Sequence, residues 1–102
     1  MAFPIQVLDA VDSGILRGNQ EPVAVDCWFT QGGRTIPRSA KYMDQQGEIH
    51  KIEHITVITS DDKRYNGSDI KEIYCQAAHE GRMYYFKLIF YKERNVWSII
   101  WI

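Results

Sequence analysis

Nine consecutive residues, Met83 to Tyr91 (MYYFKLIFY), carry a single charge, Lys87. Tyr84, Phe86, Leu88 and Phe90 line one side of an extended chain, and Met83, Tyr85, Ile89 and Tyr91 line the other. Aromatic and β-branched side chains suit a packed, pleated surface. A strand apolar on both sides is usually interior and covered on both faces. The stretch therefore predicts the spine of a β-rich domain.

The flanking sequence supplies more strands and tight turns. Val23, Val25, Cys27 and Phe29 alternate with Ala24, Asp26, Trp28 and Thr30, the period of a strand. Gln31-Gly32-Gly33 reads as a hairpin turn. The return strand, Arg34 to Met43, contains Pro37, which removes a ladder donor and predicts an edge or a bulge. Asp44 to Gly47 matches a type I turn.

In the next stretch Ile49, Ile52, Ile55 and Ile58 recur every third residue, which fits neither a strand nor an ideal helix. We read it as one long strand with a bulge near Glu53 or His54; the alternative is a helical turn over 48–54 leading into a strand. Asp61-Asp62 then connects to a short strand at Lys63 to Tyr65, and Asn66-Gly67 is a turn dipeptide. Ile70 to Ala78, the spine, and Val96 to Ile102 complete about six strands.

No connection is long enough for a parallel crossover, so the expected fold is mainly β: a single-domain antiparallel meander forming a small barrel or roll. Residues 1–20 differ in pattern. Ile5, Leu8, Val11 and Ile15 fall near helical spacing, which predicts a short N-terminal helix or a partly ordered arm ahead of a β domain over 21–102.

Composition limits the function classes. The chain has 102 residues, the size of one domain that can bury a core without metals or disulfides. Lys and Arg total 12 against 13 Asp and Glu, so there is no general basic excess of the kind polyanion binders carry. The N-terminal residues lack a charged leader with an apolar run, and no stretch has the length of a membrane span, so the expected location is cytoplasmic. Cys27 and Cys75 then read as reduced thiols, with a disulfide between them only if the first and fifth strands pair.

No phosphate loop, nucleophile elbow or selected pair of carboxylates points to catalysis, and no cofactor is implied. Cys27, Cys75, His50, His54 and His79 contain zinc-binding atoms, but their spacing is poor. On a straight strand His50 and His54 would be about 13 Å apart.

The leading expectation is a non-enzymatic interaction module, binding another protein or a second copy. Its contact residues would be Trp97, Ile99 and Trp101, on a terminal strand that would be an uncharged edge in an open sheet. The alternative is a module for single-stranded DNA or RNA, with Arg34, Arg38 and Lys41 as a basic edge and Trp28 as a stacking platform. A third reading is a small-ligand pocket lined by Tyr74, Tyr84 and Tyr85.

Overall fold

The computed structural model describes residues 18–102. They form β1 (Glu21–Phe29), β2 (Thr35–Met43), β3 (Ile49–Ile52), β4 (Thr56–Tyr65), β5 (Ser68–His79), β6 (Arg82–Tyr91) and β7 (Val96–Trp101). All seven join one antiparallel sheet in the spatial order β3-β2-β1-β7-β6-β5-β4. There is no helix among the described residues, and so none long and apolar enough to cross a membrane. The helix expected over the first twenty residues falls almost wholly outside the described ones.

Two local meanders, β1 to β3 and β4 to β7, are joined by a non-local seam. There Glu21, Pro22 and Val23 of β1 pair with Ile99, Ser98 and Trp97 of β7. The last strand is thus the middle member of the sheet, with β1 on one side and β6 on the other.

Turn chemistry sets the hairpins. Asn66 and Gly67 have φ of 50° and 83°, and Glu80 and Gly81 have 52° and 76°. Each pair makes a two-residue turn, Tyr65 facing Ser68 and His79 facing Arg82, the left-handed geometry that matches strand twist.

Two bulges bend the sheet. Asp26 pairs with Ser39 and Cys27 with Pro37, leaving Arg38 as the extra residue, so the irregularity expected at the proline is present. Val57 pairs with Cys75 and Thr59 with Tyr74, leaving Ile58 as the second. Between β3 and β4 the chain crosses from one edge of the sheet to the other, through His54 at a φ of 54°.

This crossing corrects the single bulged strand expected over 48–60. Ile52 ends one strand inside the core, Ile55 packs against that core between the strands, and Ile49 and Ile58 are exposed. The three-residue spacing is the sum of two strands, a break and a bulge. The Ile55 N–H donates to the Arg38 carbonyl at 3.2 Å, drawing β2 towards β4. No ladder follows this bond, so the sheet curls but stays open, and of the expected barrel or roll the closed barrel does not form.

A second correction concerns Asp61 and Asp62, which lie within β4 rather than in a connection. Asp62 meets Lys92 at 2.7 Å and Lys71 at 3.6 Å, so its charge is matched where it stands.

The main core lies on the concave face: Ala40, Ile52, Ile73, Cys75, Ala77, Phe86, Leu88 and Ile99. Ile70, Ile89 and Ile100 form a second cluster on the opposite face. The spine stretch is therefore covered on both sides only in its second half. Met83, Tyr84 and Tyr85 are exposed.

Cys27 and Cys75 are free thiols, because β7 and β6 stand between their strands. Burial pushes the Cys75 thiol up to about 12. Cys75 is expected to resist iodoacetamide at pH 8 until the chain unfolds, as read by mass spectrometry; rapid labelling of the folded protein would contradict its placement. Phe86→Ala should cost about 3–5 kcal/mol and Ile58→Ala less than about 1 kcal/mol, measured by urea unfolding.

Candidate functional site

Trp101 stands on the concave face at the end of β7, opposite Phe86 of β6. Its ring meets three others. Tyr42 approaches edge-on with centroids 5.2 Å apart, Phe86 lies at 5.5 Å and Tyr84 at 6.4 Å. His50 reaches the group through Tyr42: the two are directly opposite on β3 and β2, and their rings stack at 5.2 Å with 24° between planes. On the far side His79, at the end of β5, lies 6.5 Å from Tyr84. Tyr42, His50, Ile52, His79, Tyr84 and Trp101, with Lys51, enclose a cleft of about 180 Å³ that opens to solvent.

The turn after β2 fixes one wall. Asp44 Oδ1 accepts N–H bonds from Gln46 and Glu48, each at 2.9 Å, so the carboxylate closes the turn. Its Oδ2 lies 2.6 Å from His50 Nε2. An ionised carboxylate can only accept, so that nitrogen carries the proton. The bond to His50, followed by the bonds from Glu48 and Gln46, holds the Asp44 carboxyl below its usual range. The imidazole is thereby held flat against Tyr42. Burial, with smaller contributions from Tyr84 and Asp44, pushes the Tyr42 phenol up, so it stays neutral in the cleft.

Each basic group of the lining has its own carboxylate. His50 has Asp44, Lys51 has Glu53 at 3.3 Å, and His79 has Glu80 at 3.6 Å. No serine, threonine or cysteine is among the lining residues. What the cleft offers is ring contact for a planar apolar group.

Asp44, Glu48 and His50 present ligand atoms within 4.8 Å of one another. Both Asp44 oxygens already accept hydrogen bonds, and the trio is accounted for as a turn lock. The cysteines and histidines considered as zinc ligands are not brought together. Cys75 is inside the core, Cys27 is on β1, His54 is in the crossing between β3 and β4, and His50 and His79 sit on opposite walls of the cleft.

The three residues expected at a terminal edge lie on an interior strand. Ile99 is fully buried, and Trp97 and Trp101 pack against the core. Trp97 contacts Phe90 at 4.8 Å, and Phe90 contacts Phe29 at 5.4 Å. β7 is paired with β6 from Val96 to Trp101 and with β1 from Trp97 to Ile99, so it lies inside the sheet rather than at its edge.

The expected basic strip is divided. Arg34 lines a separate groove of about 390 Å³ between the start of β2 and β4. Arg38 stacks its guanidinium over Trp28 at 4.1 Å, and Lys41 faces Ala24 and Lys51 across the strands. Tyr84 lines the cleft, but Tyr74 and Tyr85 do not. They occupy the opposite face, where Lys87 lies 6.0 Å from the Tyr74 ring.

The pairing of Tyr42 with His50 was accessible from the Asp44 to Gly47 turn, because a hairpin fixes which residues face each other. The contribution of β5, β6 and β7 to the same cleft depends on the seam and has no local signal. No family model, curated protein or solved structure matches the chain.

The Asp44 carboxyl titrates lower in the folded than in the unfolded chain, so its stabilisation is present above about pH 4 and is lost as pH falls through the folded value. The gap in thermal midpoint between wild type and Asp44→Asn is expected at pH 6 and should shrink to nothing in strong acid. A gap that persists to pH 2, by circular dichroism, would contradict the turn lock.

Proposed function

We propose that the protein is a non-catalytic binding module that takes one aromatic side chain of a partner protein into the cleft between Tyr42, His50, Tyr84 and Trp101. The observation that carries this reading is the convergence of rings from five strands on one small, open, apolar cleft. Its volume of about 180 Å³ equals roughly six waters, which a single ring can displace. It is smaller than the roughly 300–1,000 Å³ typical of sites for whole cofactors or drug-sized ligands. Edge-to-face ring pairs contribute about 0.5–1.5 kcal/mol each beyond area burial, and Trp101 and Tyr84 are placed to make them.

The electrostatics favour an uncharged group. Every basic side chain of the lining already faces a carboxylate, so a phosphate would meet those carboxylates as well. Self-association by strand pairing has little support. The long outer strand β4 carries Asp61, Asp62, Lys63 and Arg64 in sequence, a charged edge of the kind that discourages pairing. On β2, Pro37 and the bulge at Arg38 do the same.

One observation favours a second reading, single-stranded nucleic acid on the face of Trp28. Trp28 is 57% exposed, and neither Arg38 nor Lys41 has a carboxylate partner among the described residues. Asp26, on the same strand face as Trp28, works against it.

Titration of labelled protein with p-cresol and indole separates the two. Saturable millimolar shifts of the Trp101 indole N–H are expected, and Tyr84→Ala should weaken them about fivefold or more, near 1 kcal/mol, without altering the fold. No saturable shift, or an equal one in Tyr84→Ala, would overturn the cleft. A response of Trp28 alone to oligo-dT at low salt would favour the second reading.

A further inference from the structure

The two edges that leave the sheet open border a groove. β3 pairs with β2 only from Ala40 to Met43, so among the described residues no strand lies beside the outer side of Thr35 to Ser39. The outer side of β4 has none either. The bond from the Ile55 N–H to the Arg38 carbonyl closes one end of the gap. Beyond it β2 runs back to Gly33, β4 runs on to Ser60, and a groove of about 390 Å³ lies between them. That is more than twice the volume of the aromatic cleft. It falls within the roughly 300–1,000 Å³ of small-molecule sites.

The lining has an apolar part and a cationic part. Ile36, Ile55 and Val57 supply the first, and Ile55 and Val57 pack against the core. Arg34 and Lys71 supply the second, with Ser60 as a further donor. No Asp or Glu is among the described residues that line the groove. The Arg34 backbone is pinned at the mouth of its hairpin: its N–H donates to Thr30 Oγ1 at 3.0 Å and its carbonyl accepts from the Thr30 N–H at 2.9 Å. Its guanidinium forms no ion pair among the described residues.

Lys71 precedes Ile73 by two residues on β5 and so projects from the core side of the sheet. Its side chain is only 16% exposed, and its one carboxylate among the described residues is Asp62 at 3.6 Å. Lys92 holds that same carboxylate more closely, at 2.7 Å. The bond to Lys92 is the main reason the Asp62 carboxyl lies below its usual range. One carboxylate thus serves two ammonium groups, and Arg34 adds a cation with none of its own. A largely buried ammonium without a close counter-charge is costly, and an arriving anion relieves that cost. The aromatic cleft differs, since each of its basic side chains has a carboxylate to itself.

We propose that this groove binds a small organic anion, its carboxylate or phosphate held between Arg34 and Lys71 and its short apolar body lying against Ile36, Ile55 and Val57. The guanidinium fork suits two oxygens of such a head group, and Lys71 supplies charge from the sheet side. The body displaces water from a wall that continues into the core.

The test titrates hexyl phosphate, hexanoate, inorganic phosphate and hexanol into the labelled full chain at low salt. Saturable shifts of the Ile55 and Val57 methyls and the Ser60 amide are expected with the hexyl anions, the tighter of the two naming the head group. The Trp101 indole N–H should not move. Inorganic phosphate, with no body to bury, should bind about tenfold more weakly. Lys71→Met, which keeps the buried stem, and Arg34→Gln should each weaken the tighter hexyl anion about fivefold or more. No saturable shift with either hexyl anion, or a response at Trp101 instead, would overturn the proposal. Equal affinity for inorganic phosphate, equal affinity for hexanol, or unchanged affinity in both variants would do the same.

Discussion

The architecture depends on the pairing of the first strand with the last. Glu21 to Val23 against Trp97 to Ile99 is a short contact, three residue pairs long. It joins two meanders that are otherwise linked by the crossing at His54 and one backbone bond from Ile55 to Arg38. Each meander alone is a small sheet with little against which to bury its apolar face. Joined, they curl around Phe86, Leu88 and Ile99, all fully buried. The closure entropy of bringing residues so distant in sequence together is offset by that shared core rather than by the few seam hydrogen bonds.

The cleft follows from the same seam. Trp101 reaches it from β7, Tyr84 from β6, and Tyr42 and His50 from the other meander. These rings meet only because the meanders are joined at β1 and β7. The Asp44 turn then fixes the His50 ring, so one wall of the cleft is held in place by the fold itself. The free edges carry a proline, bulges and mixed charge, which discourage edge-to-edge pairing.

Local chemistry was legible in the sequence where it acts locally. Asn66-Gly67 sets its hairpin through two positive φ angles, and Pro37 marks a bulge because it cannot donate to the ladder. The Met83 to Tyr91 stretch shows itself as an interior strand, though Met83, Tyr84 and Tyr85 at its start are exposed. Trp97 to Ile102 was harder. An apolar run looks the same at an edge as in the middle of a sheet, and only pairing with residues more than seventy positions earlier decides between them. The isoleucines from 49 to 58 misled for a related reason. A break and a bulge together produce a period that belongs to no single element. The basic run is not one strip, because Lys41 is an odd number of residues from Arg34 and Arg38 and so falls out of step with them on a strand, and Arg34 precedes β2 and lines the groove beside β4.

Amide hydrogen exchange along β7 tests the account most directly. If the last strand is the middle of the sheet, the amides of Trp97 to Trp101 that bond to neighbouring strands exchange only through global unfolding. They should be among the slowest in the chain and far slower than those on the outer side of β4. Exchange of β7 as fast as that of β4 would mean that the last strand is not held between β1 and β6. The seam, and the cleft that depends on it, would then be wrong.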